Sequence, residues 1–234
     1  MKRTHSFSGN LTSRETISGF CYLAFQFLFL GEILSWINGQ LSHPLNSAEL
    51  NFVFYLINFM AILVIFHDFL SRALTQATRH LAIFCQAVIL GLAAYYACSR
   101  ATSWAIGQLV PGFSNYNDQA ISDMLSGNFF LMAIGTVVLV PLTEECLFRG
   151  LIFRNLYGKS HWAAYLVSIA AFAIIHIIGY IGTYEPLELL MAFLQYLPAG
   201  LCLAWAYTKA DTIFAPIVIH SIINAVSIGL IQGL

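Results

Sequence analysis

The sequence predicts an all-α, polytopic transmembrane helix bundle of about seven spans, with its N-terminus inside and its C-terminus outside. Three observations carry that prediction. Of 234 residues, 59% are hydrophobic and only 9% charged, with a mean hydropathy of +0.77, whereas soluble domains are roughly a quarter charged. The apolar residues gather into seven runs of about the 20 residues that cross a hydrocarbon core. Lysine and arginine fall on alternate connections, as the positive-inside rule requires.

The polar stretch Met1–Glu15 leads into a first run at 16–37. That run begins too late and is too long for a cleavable signal, so it reads as an uncleaved first helix. Further runs follow at 50–70, 80–99, 127–156, 161–179, 187–208 and 211–232. With the N-terminus inside, the inner segments hold Lys2, Arg3, Arg14, Arg72, Arg79, Arg154, Lys159 and Lys209. The outer loops hold Arg100 beside Glu49, Asp118, Asp123 and Glu185. Trp36, Trp104 and Trp162 fall near interfaces, where an aromatic belt places them. The connection 100–126 is the longest, and is a surface loop or a short interfacial helix. The chain divides into N-terminal helices and loop (1–126) and a helical core (127–232) within a single membrane domain. A net charge of −1 gives no electrostatic case for nucleic acid. Cys21, Cys85, Cys98, Cys146 and Cys202 lack a C-x-x-C spacing and read as free thiols.

Glu144-Glu145-Cys146-Leu147-Phe148-Arg149 places three charges inside the fourth run. A charge near the bilayer centre costs about 2.5–3.5 kcal/mol on insertion scales, so such a cluster needs a partner or a purpose. Glu145 and Arg149 are four apart with the glutamate first, the favourable order for an intrahelical pair. Glu144 points about 100° away from that pair, since a helix turns once in 3.6 residues, and is left to face something else. Pro141, just before them, can kink the helix and widen a cavity. Glu144 lies thirteen residues before Tyr157 and His176 fifteen after His161, on either side of the turn Gly158-Lys159-Ser160. Both are therefore about 20 Å from that turn, at one level of an antiparallel pair. Phe172, one turn from His176, can brace its imidazole, and His220 and Asn224 share a face of the last run.

These groups suit hydrolysis: a glutamate as general base on water, a histidine sharing the proton, an amide and a second histidine for the oxyanion. Glu144 or Glu145 with His176 and His220 could instead hold a zinc ion and a water. Plainer roles stand beside these. Glu145 and Arg149 close on each other and read as structural. His220 and Asn224 could join helices by hydrogen bonds. Glu32 reads as a hydrogen bond to another helix, and Cys146 has no histidine placed to activate it. There is no H-E-x-x-H, G-x-S-G or G-x-G-D motif of other intramembrane proteases.

The pattern E-E-C-L-F-R-G at 144–150, F-x-x-x-H at 172–176, and the run from Gly200 through Thr212-Ile213-Phe214-Ala215-Pro216 to His220-x-x-x-Asn224 resembles the CAAX-protease and bacteriocin-processing (CPBP, or Abi) family. Its eukaryotic relatives are the type II CAAX prenyl endopeptidases. The three motifs occur in order over about 127–232. The resemblance implies an intramembrane endopeptidase, metallo- or glutamate-dependent, in which Glu144 and His176 activate water and His220 and Asn224 form the oxyanion site. Glu145 and Arg149 would support them. It implies membrane lipid and a membrane-bound or prenylated peptide, CAAX-like or leader-like, as partners. A prokaryotic plasma membrane fits the compact length. Two other classes stay open: a non-catalytic scaffold with a bacteriocin-immunity or regulatory role, and a small proton-coupled transporter using Glu32, Glu144 and His176.

Overall fold

The computed structural model describes residue 7 and residues 9–233; Lys2 and Arg3 of the inner charge set lie outside the described residues. The helices are α1 (Ser13–Gln40), α2 (Ser47–Ile65), α3 (His67–Arg79), α4 (Leu81–Leu109) and α5 (Tyr116–Gly127). They continue with α6 (Phe129–Tyr157), α7 (His161–Ile175), α8 (Pro186–Ala210) and α9 (Phe214–Gln232). Six of these, α1, α2, α4, α6, α8 and α9, are long and apolar enough to cross a membrane, and α7 is a shorter apolar helix. The protein is an integral membrane helix bundle. Its outward side chains, among them Val64, Ile89, Leu166 and Leu230, are large, apolar and exposed, as a lipid-facing surface requires.

The ends of the elements follow from local chemistry. Thr12 caps α1 in a capping box with Glu15, and Asn46 caps α2 in the same way with Glu49. Glu15 does more: its Oε1 accepts the Phe69 amide at 2.7 Å and its Oε2 pairs with Arg72 at 3.2 Å, tying α1 to α3. The run expected at 50–70 stops at Ile65. Phe66 leaves helical geometry (φ −104°, ψ 21°), and α3 begins as an amphipathic helix burying Phe69, Leu70, Ala73 and Ala77. Those residues recur at helical spacing, whereas hydropathy summed over a window cannot separate the polar face from the span before it. In the connection 100–126, α4 continues to Leu109 and α5 forms the short helix of the two readings. The run at 161–179 stops as helix at Ile175, followed by a 3₁₀ turn at Ile178–Tyr180.

Helix α6 contains the largest departure from a regular helix. Two π-helical stretches, Gly135–Leu139 and Cys146–Phe153, flank a single α segment, Val140–Glu145. Wide turns of this kind recur at functional sites. Their signature here is the Val140 amide bonding to the Gly135 carbonyl, five residues back. The next donor in that pattern would be residue 141, and Pro141 has none.

Packing closes one end of the bundle. Phe66, Phe69, Leu147, Leu151, Phe153 and Tyr207 form a buried cluster between the glutamates and the Gly158 turn. A second layer of Phe148, Phe172, Leu203 and Ile219 lies beside the polar residues. Between apolar helices in lipid such contacts act through close packing rather than escape from water. Gly200 permits one such close contact: a Cβ there would stand 2.9 Å from Ile169 Cγ2 and 3.3 Å from its Cα.

Candidate active site

The structure brings Glu144, His176, His220 and Asn224 to the wall of one cavity of about 410 Å³. Glu145 and Arg149 sit behind that wall, both fully buried. The pair closes at 3.0 Å between Arg149 Nη1 and Glu145 Oε1. Arg149 also donates to the Gly200 carbonyl at 3.2 Å and lies over the Phe172 ring, 4.4 Å from its centroid. A guanidinium buried in this way persists because its charge is met on three sides.

The spacing argument gave Glu145 one partner, and the structure adds a second. His220 Nδ1 donates to the same Oε1 at 2.9 Å. With Nδ1 thus committed, Nε2 is the ring atom directed at Glu144, 4.0 Å from its Oε2. Glu145 therefore fixes the tautomer and orientation of His220. Glu144 is the glutamate that faces the cavity. Its side chain is 18% exposed against 0% for Glu145, and its Oε2 has no hydrogen-bond partner among the described residues.

His176 is held from two sides. Nδ1 donates to the Phe172 carbonyl at 2.8 Å, leaving Nε2 as the open nitrogen. Its ring stacks on Tyr196 at 4.1 Å and contacts Phe172 at 4.8 Å. Phe172 thus braces the imidazole through both ring and backbone. Asn224 donates from Nδ2 to the Thr136 carbonyl at 2.8 Å. This is the carbonyl that would receive a π-type bond from residue 141, so Asn224 satisfies the group that Pro141 leaves unpaired. The Pro141–Asn224 relation joins α6 to α9 across the cavity.

Of the zinc donor set, Glu145 Oε1 is shared by Arg149 and His220, while His220 and His176 each engage Nδ1 and leave Nε2 as the remaining ring nitrogen. Among the described residues no three His, Cys, Asp or Glu side chains gather as metal ligands. Glu32 is exposed and joins no helix among the described residues, contrary to its sequence reading. The five cysteines are free, with Cys146 and Cys202 buried.

Several cavity residues escaped the sequence reading. The far wall is built by Tyr55, Tyr95, Asn115, Asp118, Gln195 and Tyr196. Asn115 Nδ2 donates to Gln195 Oε1 at 2.9 Å and Asn117 Nδ2 to the Tyr196 hydroxyl at 3.1 Å. Tyr116 stacks on Tyr184 and bonds to Glu188. These contacts dock the start of α5 on α8 over the cavity. A polar Gln195-Tyr196 step inside an apolar run was the available signal.

Residues 126–226 match the family model Rce1-like, described as Type II CAAX prenyl endopeptidase Rce1-like. Two bacterial proteins are similar over the same kind of length. One, named "Putative membrane peptidase YdiL", from Bacillus subtilis (strain 168), is 30% identical over 114 residues, covering 48% of this chain and 42% of that protein. The other, UPF0177 protein YxdF from Lactococcus lactis subsp. lactis (strain IL1403), is 31% identical over 87 residues, covering 37% of this chain and 42% of its own. The matched segment thus spans about two fifths of the length of each relative. No solved structure matches the chain.

Proposed function

Residues 126–226 match the Rce1-like family model, and we propose that the protein is an intramembrane endopeptidase hydrolysing a peptide bond in a membrane-bound or lipid-modified peptide. The observation that carries this reading is Glu144: a carboxylate with an unpartnered oxygen, facing a cavity that His176, His220 and Asn224 also line. An unpaired acid at this depth is costly, and a role as base on water accounts for it.

In this reading Glu144 takes a proton from water as the hydroxide adds to the scissile carbonyl carbon. The oxyanion is met by Asn224 Nδ2–H and by His220, whose doubly protonated form donates from Nε2 while Nδ1 stays on Glu145. His176, its open Nε2 turned from the Phe172 carbonyl, shares the proton with Glu144. The tetrahedral species collapses by breaking the C–N bond, and the proton held by Glu144 or His176 passes to the leaving amine. Glu145 and Arg149 act through His220 and touch no reacting atom. The localisation that goes with this reading is a prokaryotic plasma membrane.

The test compares membrane-protein termini by mass spectrometry in cells carrying wild type, Glu144→Gln or no copy of the gene. New termini present with wild type and absent with Glu144→Gln, at equal protein levels, are expected. Identical termini in wild type and Glu144→Gln would sink the proteolytic assignment.

A further inference from the structure

The exposed part of the cavity wall lies towards one end of the bundle, and its position relative to the basic end carries information about the substrate. Below the glutamates, towards the Gly158 turn, the interior is filled by Phe66, Leu147, Leu151, Phe153 and Tyr207, all buried. Above them the cavity runs along the later halves of α4 and α9, past Tyr95 and Ser99 on one side and Ser227, Leu230 and Ile231 on the other. Ser227 is exposed there, as is Asp118 on the rim. Nearer their starts α4 and α9 pack tightly: a Cβ on Gly91 would strike Ile219 at 2.6 Å, and Ala87 clusters with Ala215. The opening therefore lies at the end where α4 gives way to α5 and α9 finishes.

The basic residues lie at the other end. Arg72, Arg79 and Arg154 converge on a separate hollow with Asp211 and Thr212 at the α8–α9 turn. Lys159 is in the exposed α6–α7 turn and Lys209 in the last turn of α8. At the open end the described residues include Glu49, Asp118, Asp123 and Glu185, with Arg100 as the basic exception. Arginine and lysine mark the cytoplasmic face of a membrane protein.

We infer that the cavity opens on the extracytoplasmic face, and that its substrate is a peptide segment displayed there: the translocated, juxtamembrane part of a membrane-bound peptide, not a cytoplasmic prenylated tail. This rests on the proteolytic reading for the word substrate, while the direction of opening stands on geometry alone. An unfolded translocated segment reaches Glu144 from above, between α9 and the docked start of α5. A cytoplasmic tail meets the Phe66–Phe153 layer first.

The experiment is thiol labelling in right-side-out bacterial spheroplasts with a membrane-impermeant maleimide. Cys21→Ala, Cys85→Ala and Cys98→Ala remove the exposed native thiols. Ser227→Cys and Asp118→Cys then report the cavity wall and rim, and Lys159→Cys the opposite end; none belongs to the proposed catalytic set. Ser227→Cys and Asp118→Cys should label at least tenfold faster than Lys159→Cys, which should label only after permeabilisation. Labelling of Lys159→Cys alone in intact spheroplasts would overturn the inference by reversing the orientation. Failure of both Ser227→Cys and Asp118→Cys to label from outside would overturn it by closing that end. Labelling needs no catalysis, so an unchanged set of termini with Glu144→Gln would refute proteolysis and leave this result standing. An active protein labelled at Ser227→Cys only from the cytoplasm would do the reverse.

Discussion

Substituting Asn224 by leucine removes its hydrogen-bonding amide while keeping the branching and the number of side-chain heavy atoms, and the structure predicts what that removal costs. Nδ2 of Asn224 is the donor to the Thr136 carbonyl at 2.8 Å, and Pro141 cannot replace it. Interhelical hydrogen bonds in membrane proteins are worth about 0.6 kcal/mol on average and up to about 1.7. A carbonyl left buried and unpaired adds a penalty of roughly 1–3 kcal/mol. Asn224→Leu should therefore destabilise the protein by about 1.5–3.5 kcal/mol. In a Pro141→Ala background the backbone regains an amide, and the Thr136 carbonyl gains a donor from residue 140 or 141 whether the turn stays π or relaxes to α. There the same substitution should cost about 1 kcal/mol less. Unfolding free energies of the four proteins, measured by steric trapping in bicelles, give the coupling directly. Additivity within about 0.3–0.5 kcal/mol would refute the claim that Asn224 answers for Pro141.

Arg149→Met leaves the buried Glu145 carboxylate with His220 alone and should cost about 3–5 kcal/mol, with Glu145→Leu/Arg149→Met losing less; equal losses in thermal unfolding would show that the stranded charge is not the cause. Gly200→Ala should destabilise by roughly 1–3 kcal/mol through overpacking against Ile169, and Ile169→Ala in the same protein should recover part of it; no recovery would place the strain elsewhere. Tyr116 donates to Glu188, which pushes its phenol up to about 12 from 10.0. A raised value means that the α5–α8 tether is intact below pH 10 and is lost as pH rises through about 12. The phenolate absorbance missing from Tyr116→Phe should therefore appear near pH 12, and its appearance near 10 would mean that the bond is not made.

Much of the site was legible because helical spacing is arithmetic. Glu145 and Arg149 at four residues apart did pair, and Glu144 and His176, counted from the Gly158 turn to one level, both line the cavity. What the spacing could not convey was rotation. The π stretches at 135–139 and 146–153 change the angle per residue within α6, and nothing in the composition of Cys146–Phe153 marks them. The partnership of His220 with Glu145 was hidden for the same reason, since it depends on how two helices far apart in sequence are turned. The wall made by Asn115 and Asp118 was hidden because a polar stretch after a span reads equally as loop or helix until something is seen to bind it. The end of α2 was misplaced for a simpler reason: Phe69 and Leu70 belong to an amphipathic helix, and they look no different from a span's last turn when only their hydropathy is summed.

The fifteen residues of α7 give a helix about 22 Å long, against a hydrocarbon core of about 30 Å. With Trp162, 81% exposed at its start, at the headgroups where an aromatic belt would hold it, the shortfall collects at the end where His176 sits. Lipid beside α7 must thin, or headgroups and water must dip, to meet it. The bilayer then becomes part of the working environment, lowering locally the barrier that a polar peptide would face on its way to His176. Activity should accordingly track acyl-chain length in reconstituted membranes, falling as the bilayer around α7 thickens.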